Sequence, residues 1–539
     1  MIKYILIFIL SLLINKLFAF DSIDDIMVDS FFKKNLNCKG FSFHKECSFL
    51  NLFYLSHNNK TIWVDSNGLK PNAIIILEEI KKSYLDGIDP NLFNLSGITD
   101  LLSNFNQEKI DYVKRNDILQ QLDILITDTV YNYERYLYYG VLNYEKIFPY
   151  WKNIKQKLDM VSIIDKTINQ PQETILYLTP KYKDYSVLKQ KLVDLRKIIE
   201  SKMELPSIKW ENTYTLGTKN TQIKLLQKKL VLSGELSTNK INGVFDDKTK
   251  GAILVFQQNN GLSENGNIDD DTLNALNLSI SSQIKKIELN MDIMRLFPDN
   301  LEDDYILVNL PEFNLDIIEN NKVILSMDIA VGGKDHPSCI LNSSINSLIL
   351  NPYWYIPYNI AFNEIWNVLK KNANYIQDKQ IDVLKLNKKN YYILDNDTSK
   401  IDWNKILVDE FNLYKFRQRP SNINALGKVK FIFDNSCGVF LHSTNEPTLF
   451  EAYQRAFSHG CIRVSQPLNL TTFVLLKQNQ WNITQINDLF NNTVDKKIIL
   501  TKQIKIYFVY LTVFKVNNNF IQYRKDIYNF EDNLFKNFP

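Results

Sequence analysis

Apolar residues recur at three- and four-residue steps through the first half of the chain, and that spacing predicts helices. The stretch Ala73-Ile-Ile-Ile-Leu-Glu-Glu-Ile-Lys-Lys sets its apolar positions on one helical face, and the turn Asp86-Gly87 follows it. Ile118 to Tyr139 places Leu119, Leu122, Leu125, Ile126 and Val130 at the same steps. No cluster of catalytic residue types lies between 70 and 210, so this region reads as a helical scaffold. Three short helices are expected over 216–278. The first, Asn220 to Leu232, carries Ile223, Leu226 and Leu230 on one stripe. The second is N-capped by Asp246, holds Thr249, Ala252, Val255 and Phe256, and ends at Gly261-Leu262; the third is Asp269 to Leu276. After a further helix near 282–296 the pattern becomes strand-like, at 305–310, 313–318, 323–331, 347–350, 429–433 and 438–441. An insertion over about 363–415, rich in Lys, Asn and Asp, interrupts the strands. Its length is wrong for a structureless loop inside a domain, so it reads as a cap or lid. Ile504 to Tyr523 alternates as a hairpin around Asn517 to Asn519 and is expected to join the same β-rich domain.

The N-terminus changes this picture. Lys3 precedes an apolar run from Tyr4 to Ile14, followed by Asn15, Lys16 and the small residue Ala19. About ten apolar residues make a signal-peptide core, whereas a membrane span takes about 20. Residues 1–19 are therefore read as a signal peptide that exports the chain, with an uncleaved membrane anchor as the alternative. At 539 residues, with 45% hydrophobic and 23% charged residues, the chain is expected to fold as several globular domains. A net charge of +3 and the lack of a basic block exclude a nucleic-acid partner. Lysine and asparagine are frequent throughout, so a lone one carries little weight.

Export would place the five cysteines, Cys38, Cys47, Cys339, Cys437 and Cys461, in an oxidising compartment. Cys38 and Cys47 could close a short loop and Cys339 and Cys437 a second pair; an odd count leaves one thiol over. Of the five histidines, two lie close before or beside Cys461, in Phe440-Leu-His442-Ser443-Thr444 and Ala456-Phe-Ser458-His459-Gly460-Cys461-Ile462-Arg463-Val464. An imidazole or a positive field favours a thiolate nucleophile. A strand, a loop and a return turn could bring His442 to Cys461. Gly460 would let the backbone approach a carbonyl, so that nearby N–H groups form an oxyanion hole. Two rival readings stand beside this one: a zinc site on His442, His459 and Cys461, and a buried structural thiol with satisfied histidines.

His442 followed by Ser458-His459-Gly460-Cys461 resembles the signature of the L,D-transpeptidase (YkuD) catalytic domain over roughly 300–500. Gln227, Gly243, Phe245, Asp246, Thr249, Phe256, Gln257, Gly261 and Leu262 resemble, in their order, a three-helix peptidoglycan-binding domain. The segments Ile62-Trp-Val-Asp65, Asp86-Gly87-Ile88-Asp89-Pro90, Asn351-Pro-Tyr-Trp354, Asn424-Ala-Leu-Gly427 and Ile504 to Tyr528 extend the resemblance to the long periplasmic members of the YcbB type. The resemblance implies a multidomain α+β chain: signal peptide 1–19, helical scaffold 20–211, peptidoglycan-binding domain 212–280, a mostly β catalytic domain 281–500 with the cap at about 363–415, and a C-terminal hairpin segment 501–539. It implies Cys461 as nucleophile, His442 as base, Ser443 orienting that base, and His459, Gly460 and the Cys461 amide shaping the oxyanion hole. Ser458, Arg463, Tyr353 and Trp354 fall on the substrate side. Ser443 stands where the long members often carry Asp, and Phe440 where Tyr is common. No cofactor or metal is implied. The implied reaction transfers a stem peptide through a Cys461 thioester, with loss of D-alanine, to a diaminopimelate amine, giving a 3-3 cross-link. The implied partners are peptidoglycan stems (a donor tetrapeptide and a diaminopimelate acceptor), with cell-wall synthesis proteins as further candidates. The rivals are an L,D-carboxypeptidase, an enzyme attaching or removing an envelope protein, and a non-catalytic wall-binding scaffold.

Overall fold

The computed structural model describes residues 47–107, 111–202, 205–211, 214–298, 304–372, 374–387, 390–394, 401–516 and 520–538. The signal segment 1–19, Cys38 and the hairpin tip 517–519 lie outside the described residues. The chain divides into two compact units, one holding Met1–Tyr139 and Lys157–Thr179, the other Gly140–Gln156 and Pro180–Pro539. Among the described residues no helix is long and apolar enough to cross a membrane.

The first unit is helical, with Pro71–Lys81, Leu95–Phe105, Tyr112–Tyr139, Met160–Asn169 and Pro171–Leu178 as its main elements. Its long helix buries two carboxyls. Asp123 accepts the backbone N–H groups of Ile62, Trp63 and Val64 at 2.9, 2.6 and 3.1 Å and the Tyr54 hydroxyl at 2.6 Å. Burial raises its pKa to about 6, against the pull of those hydrogen bonds. Ile62-Trp-Val-Asp65 thus enters its short strand, Val64–Asp65, with three backbone N–H groups gathered on one carboxylate. Glu134 is buried too, takes a hydrogen bond from Thr167, and is raised by burial to about 8.

In the second unit the helices Thr221–Ser233, Asp247–Asn260 and Asp270–Leu276 share a core that includes Ile223, Leu226, Leu230, Ile253 and Phe256. One local device occurs twice. Asn242-Gly-Val-Phe-Asp-Asp-Lys-Thr249 and Asn265-Gly-Asn-Ile-Asp-Asp-Asp-Thr272 have the same form. In each, the first Asp caps the following helix on the Thr N–H. In each, a buried glutamine on the preceding helix holds the loop. Gln227 Nε2 donates to Asn242 Oδ1, Val244 O and Thr249 Oγ1, all at 2.9 Å, while its Oε1 accepts from the N–H of Gly243 at 2.8 Å. Gln257 repeats this with Asn267 O, Thr272 Oγ1 and the N–H of Gly266. The residue types that carried the resemblance here therefore hold the loops of the fold.

The β-rich part is a closed sheet. Its strands run in the spatial order Ala456–Ser458, Lys322–Gly332, Ile462–Val464, Leu441–His442, Val429–Phe433, Leu341–Leu350, Lys496–Val509, Tyr305–Asn309 and Asn314–Glu319. Asn314–Glu319 pairs back onto Lys322–Gly332, which closes the barrel. Lys496–Val509 lies between Leu341–Leu350 and Tyr305–Asn309, pairing parallel to the latter. Residues 504–509 are therefore barrel strand, and the hairpin consists of Val513–Val516 with Phe520–Tyr523. The strand at 347–350 begins earlier than expected, at Leu341, because Leu341 and Ile345 also fill the core.

The inserted segment folds as a second sheet, Trp354–Tyr355, Tyr414–Gln418, Ile381–Asn387 and Asn390–Ile393 in order. It has its own core of Trp366, Trp403, Phe411, Phe416 and other apolar residues, so it is a packed subdomain.

Candidate active site

Register decides what meets at the end of the barrel. Leu441 and His442 pair antiparallel with Phe431 and Lys430, and parallel with Ile462 and Arg463. Phe431, Leu441 and Ile462 are core residues, so alternation turns Lys430, His442 and Arg463 to the other face as one cross-strand row. The Ile462 N–H donates to Phe440 O at 2.9 Å, which sets Cys461 beside Phe440 at the end of that row. A parallel neighbour needs a long crossover. Residues 443–461 supply it, with the 3-10 helix Pro447–Glu451 and the short strand Ala456–Ser458. A simple strand, loop and return turn would have given an antiparallel pair.

His442 is only 5% exposed. Its Nδ1 lies 2.5 Å from Ser443 O. A carbonyl only accepts, so Nδ1 carries the proton and Nε2 keeps its lone pair. Burial drives the imidazole pKa down to about 4; the Ser443 carbonyl resists this, while Arg463 and Lys430 add to it. Ser443 is itself fixed, its Oγ donating to Leu426 O and accepting the Val429 N–H, both at 3.0 Å. A Cβ at Gly427, whose φ is +60°, would come 2.4 Å from that Oγ, so glycine is required for Ser443 to sit there.

Burial raises the Cys461 thiol above its ordinary value. The Phe440 backbone N–H, Lys430 and Arg463 pull it back down, and Cys437 pushes it up. The resting pair is therefore thiol and neutral imidazole, with two cations ready to stabilise a thiolate. Lys430 is itself partly desolvated, which lowers its pKa, and its Nζ sits 3.6 Å from the Phe440 ring centroid.

The turn before Cys461 is held by its own side chains. Ser458 Oγ donates to Cys461 O at 2.5 Å and accepts the Gly460 N–H at 3.1 Å. Ser338 Oγ donates to Gly460 O at 2.8 Å. Gly460, at φ +103°, takes a conformation that side chains rarely adopt. Its N–H is engaged, whereas among the described residues no hydrogen bond takes the Cys461 N–H.

His459 does not join the His442 row. Its Nε2 lies 2.8 Å from Glu364 Oε1 of the cap, and its ring stacks on His336 at 5.1 Å. Arg463 Nη1 is 3.7 Å from Glu446, and among the described residues its buried Nε has no hydrogen-bond partner. Tyr353 and Trp354 are placed with the cap. Arg417 lies 4.2 Å over the Tyr353 ring, and Trp354 pairs with Gln418 and packs on the cap core. Cys339 and Cys437 are free thiols in hydrogen-bond contact. The bond from Cys339 pulls the Cys437 thiol down and raises Cys339. Among the described residues no group of three or more His, Cys, Asp or Glu is placed to hold a metal ion.

Sequence reading missed Lys430 and Glu364. A signal for the first existed: a single lysine inside Val429-Lys430-Phe431-Ile432-Phe433 faces away from the core by alternation. In a lysine-rich chain it did not stand out.

Comparison with known proteins agrees with this architecture. Residues 303–498 match the family model "L,D-transpeptidase catalytic domain", 48–192 match "Scaffold domain", and 219–276 match "Putative peptidoglycan binding domain". A curated "Putative L,D-transpeptidase" of Haemophilus influenzae is 28% identical over 256 residues, which is 47% of this chain and 49% of that protein. The chain thus spans about half the length of the curated relative it matches. Crystal structures of L,D-transpeptidases from Stackebrandtia nassauensis and Xylanimonas cellulosilytica are each 12% identical and cover 56% of this chain. They align over 96% and 100% of their own chains, with TM-scores of 0.20 and 0.17. The assignment rests on the family models and the curated relative.

Proposed function

The chain carries an L,D-transpeptidase (YkuD) catalytic domain and a peptidoglycan-binding domain, and from that premise we propose that it forms 3-3 cross-links between peptidoglycan stem peptides, with Cys461 as nucleophile. The observation that supports this reading is the cross-strand row of Lys430, His442 and Arg463 with Cys461 at its end. In this reading His442 Nε2 takes the thiol proton as the donor carbonyl is attacked, and the imidazolium gives it to the departing D-alanine amine. Lys430 and Arg463 stabilise the thiolate. The Cys461 N–H, left free, faces the tetrahedral oxyanion. Arg463, whose Nε finds no hydrogen-bond partner among the described residues, is a donor for a carboxylate of the stem. The thioester then passes the stem to a diaminopimelate amine. Ser458 and Ser443 act on the geometry of the turn and of the base.

The substrate lies outside the cytoplasm, so this reading also places the chain in the periplasm, with residues 1–19 as the export signal. The test is mass spectrometry of purified tetrapeptide muropeptides incubated with the wild type and with Cys461→Ala. A dimer that depends on Cys461 is expected. Shortened stems alone would make the protein a carboxypeptidase, and no change would leave a wall-binding scaffold.

A further inference from the structure

The described site accounts for the first half of an acyl transfer better than for the second. His442 serves the thiol, but the acceptor also arrives with a proton to lose. An aliphatic amine of ordinary basicity, with a pKa of about 10, is an ammonium ion at neutral pH and cannot attack a thioester until it is deprotonated. A residue for that step should be charged, open to a second substrate, close to the nucleophile and distinct from the buried base.

Glu364 meets these conditions. It lies in a π-turn of the cap, Ala361–Ile365, a local irregularity of the kind often found at functional sites. Its Oε1 is 2.8 Å from Nε2 of His459, two residues before Cys461. The side chains are 53% and 44% exposed, so the pair is reachable from solvent, unlike His442. The His336 ring stacks on the His459 imidazole.

We infer that Glu364 is the acceptor-side residue, whose carboxylate receives the ammonium group of the second substrate and, with His459, takes a proton from it beside the thioester. This rests on the transpeptidase reading of Cys461. The ammonium gives one proton to the Glu364–His459 pair. The freed nitrogen bonds to the thioester carbonyl carbon, and the carbon–sulfur bond breaks with its electron pair going to Cys461 Sγ. The second proton leaves the nitrogen for His442 and returns to the sulfur. The Glu364–His459 pair then releases its proton to solvent, so one amide forms and both the free thiol and the acceptor-side pair are restored.

The test uses the full-length protein with a disaccharide tetrapeptide as both donor and acceptor, and compares wild type, Glu364→Gln and Glu364→Asp. Intact mass reads thioester formation on Cys461; chromatography reads how the thioester divides between dimer and hydrolysed tripeptide. Thioester formation should stay within about twofold in all three proteins. The ratio of dimer to tripeptide should fall about tenfold or more in Glu364→Gln and largely return in Glu364→Asp. A cap contact that is merely structural would not alter that ratio selectively. An unchanged ratio, or equal losses of thioester and dimer, overturns the role of Glu364. A wild type that forms no thioester overturns the transpeptidase reading instead, and this inference with it.

Discussion

Lys430 stands opposite His442 where Val429–Phe433 pairs with Leu441–His442, so a cation and a buried imidazole share one face of the barrel. Lys430 pulls the Cys461 thiol toward ionisation. Replacing Lys430 with Met should raise the thiol pKa and slow alkylation of Cys461 by iodoacetamide at pH 8 by about three- to tenfold, the effect of about half to one pKa unit. The pH dependence of labelling, followed by peptide mass spectrometry, reads this directly. An unmoved profile would mean that the cation does not act on the sulfur.

His442 also makes stability depend on pH. Its folded pKa of about 4 lies below the ordinary imidazole value. Between the two, the unfolded chain binds a proton that the folded chain refuses, so stability falls as pH drops from about 6.5 to about 4, by roughly 3 kcal/mol in all. The wild type should lose this stability in denaturant titrations between pH 7 and pH 4. In His442→Gln the fall over that window should be shallower by a comparable amount.

The opposite sign applies to Glu134. Burial raises its folded pKa to about 8, so its contribution is fully present below the unfolded carboxyl value and is lost as pH rises through 8. Glu134→Gln keeps an acceptor for Thr167 and removes the charge. It should stabilise the helical unit at pH 8 by about 2–4 kcal/mol and do little at pH 4.5. Thermal melts at the two pH values check this, and equal shifts at both would count against a buried ionisable group.

Cys339 and Cys437 should close before Cys461 reacts with either, because the Cys339 thiol already bonds Cys437 and thereby favours the Cys437 thiolate. Incubation with oxidised glutathione should lower the intact mass by two hydrogens and leave Cys461 open to iodoacetamide. A disulfide involving Cys461 in the peptide map would contradict that order.

Local pattern carried much of this protein. Apolar spacing specified the helices and most of the barrel strands, because helical and strand periods are written residue by residue. The order His442, Ser458, His459, Gly460, Cys461 was enough to point to a chemistry. The sequence already pointed to His442 as the base, but not to which residues share its face, since its partners on neighbouring strands are distant in the chain. The closed sheet decided it. Parallel pairing of Leu441–His442 with Ile462–Val464 put His442 and Arg463 in one row, and the antiparallel neighbour added Lys430. Glu364 meets His459 only because the inserted cap folds on its own core and turns that carboxylate toward the site. Side-chain types and local periods belong to the sequence; register between distant strands, and with it the neighbours of the thiol, comes only from the pairing that buries the core.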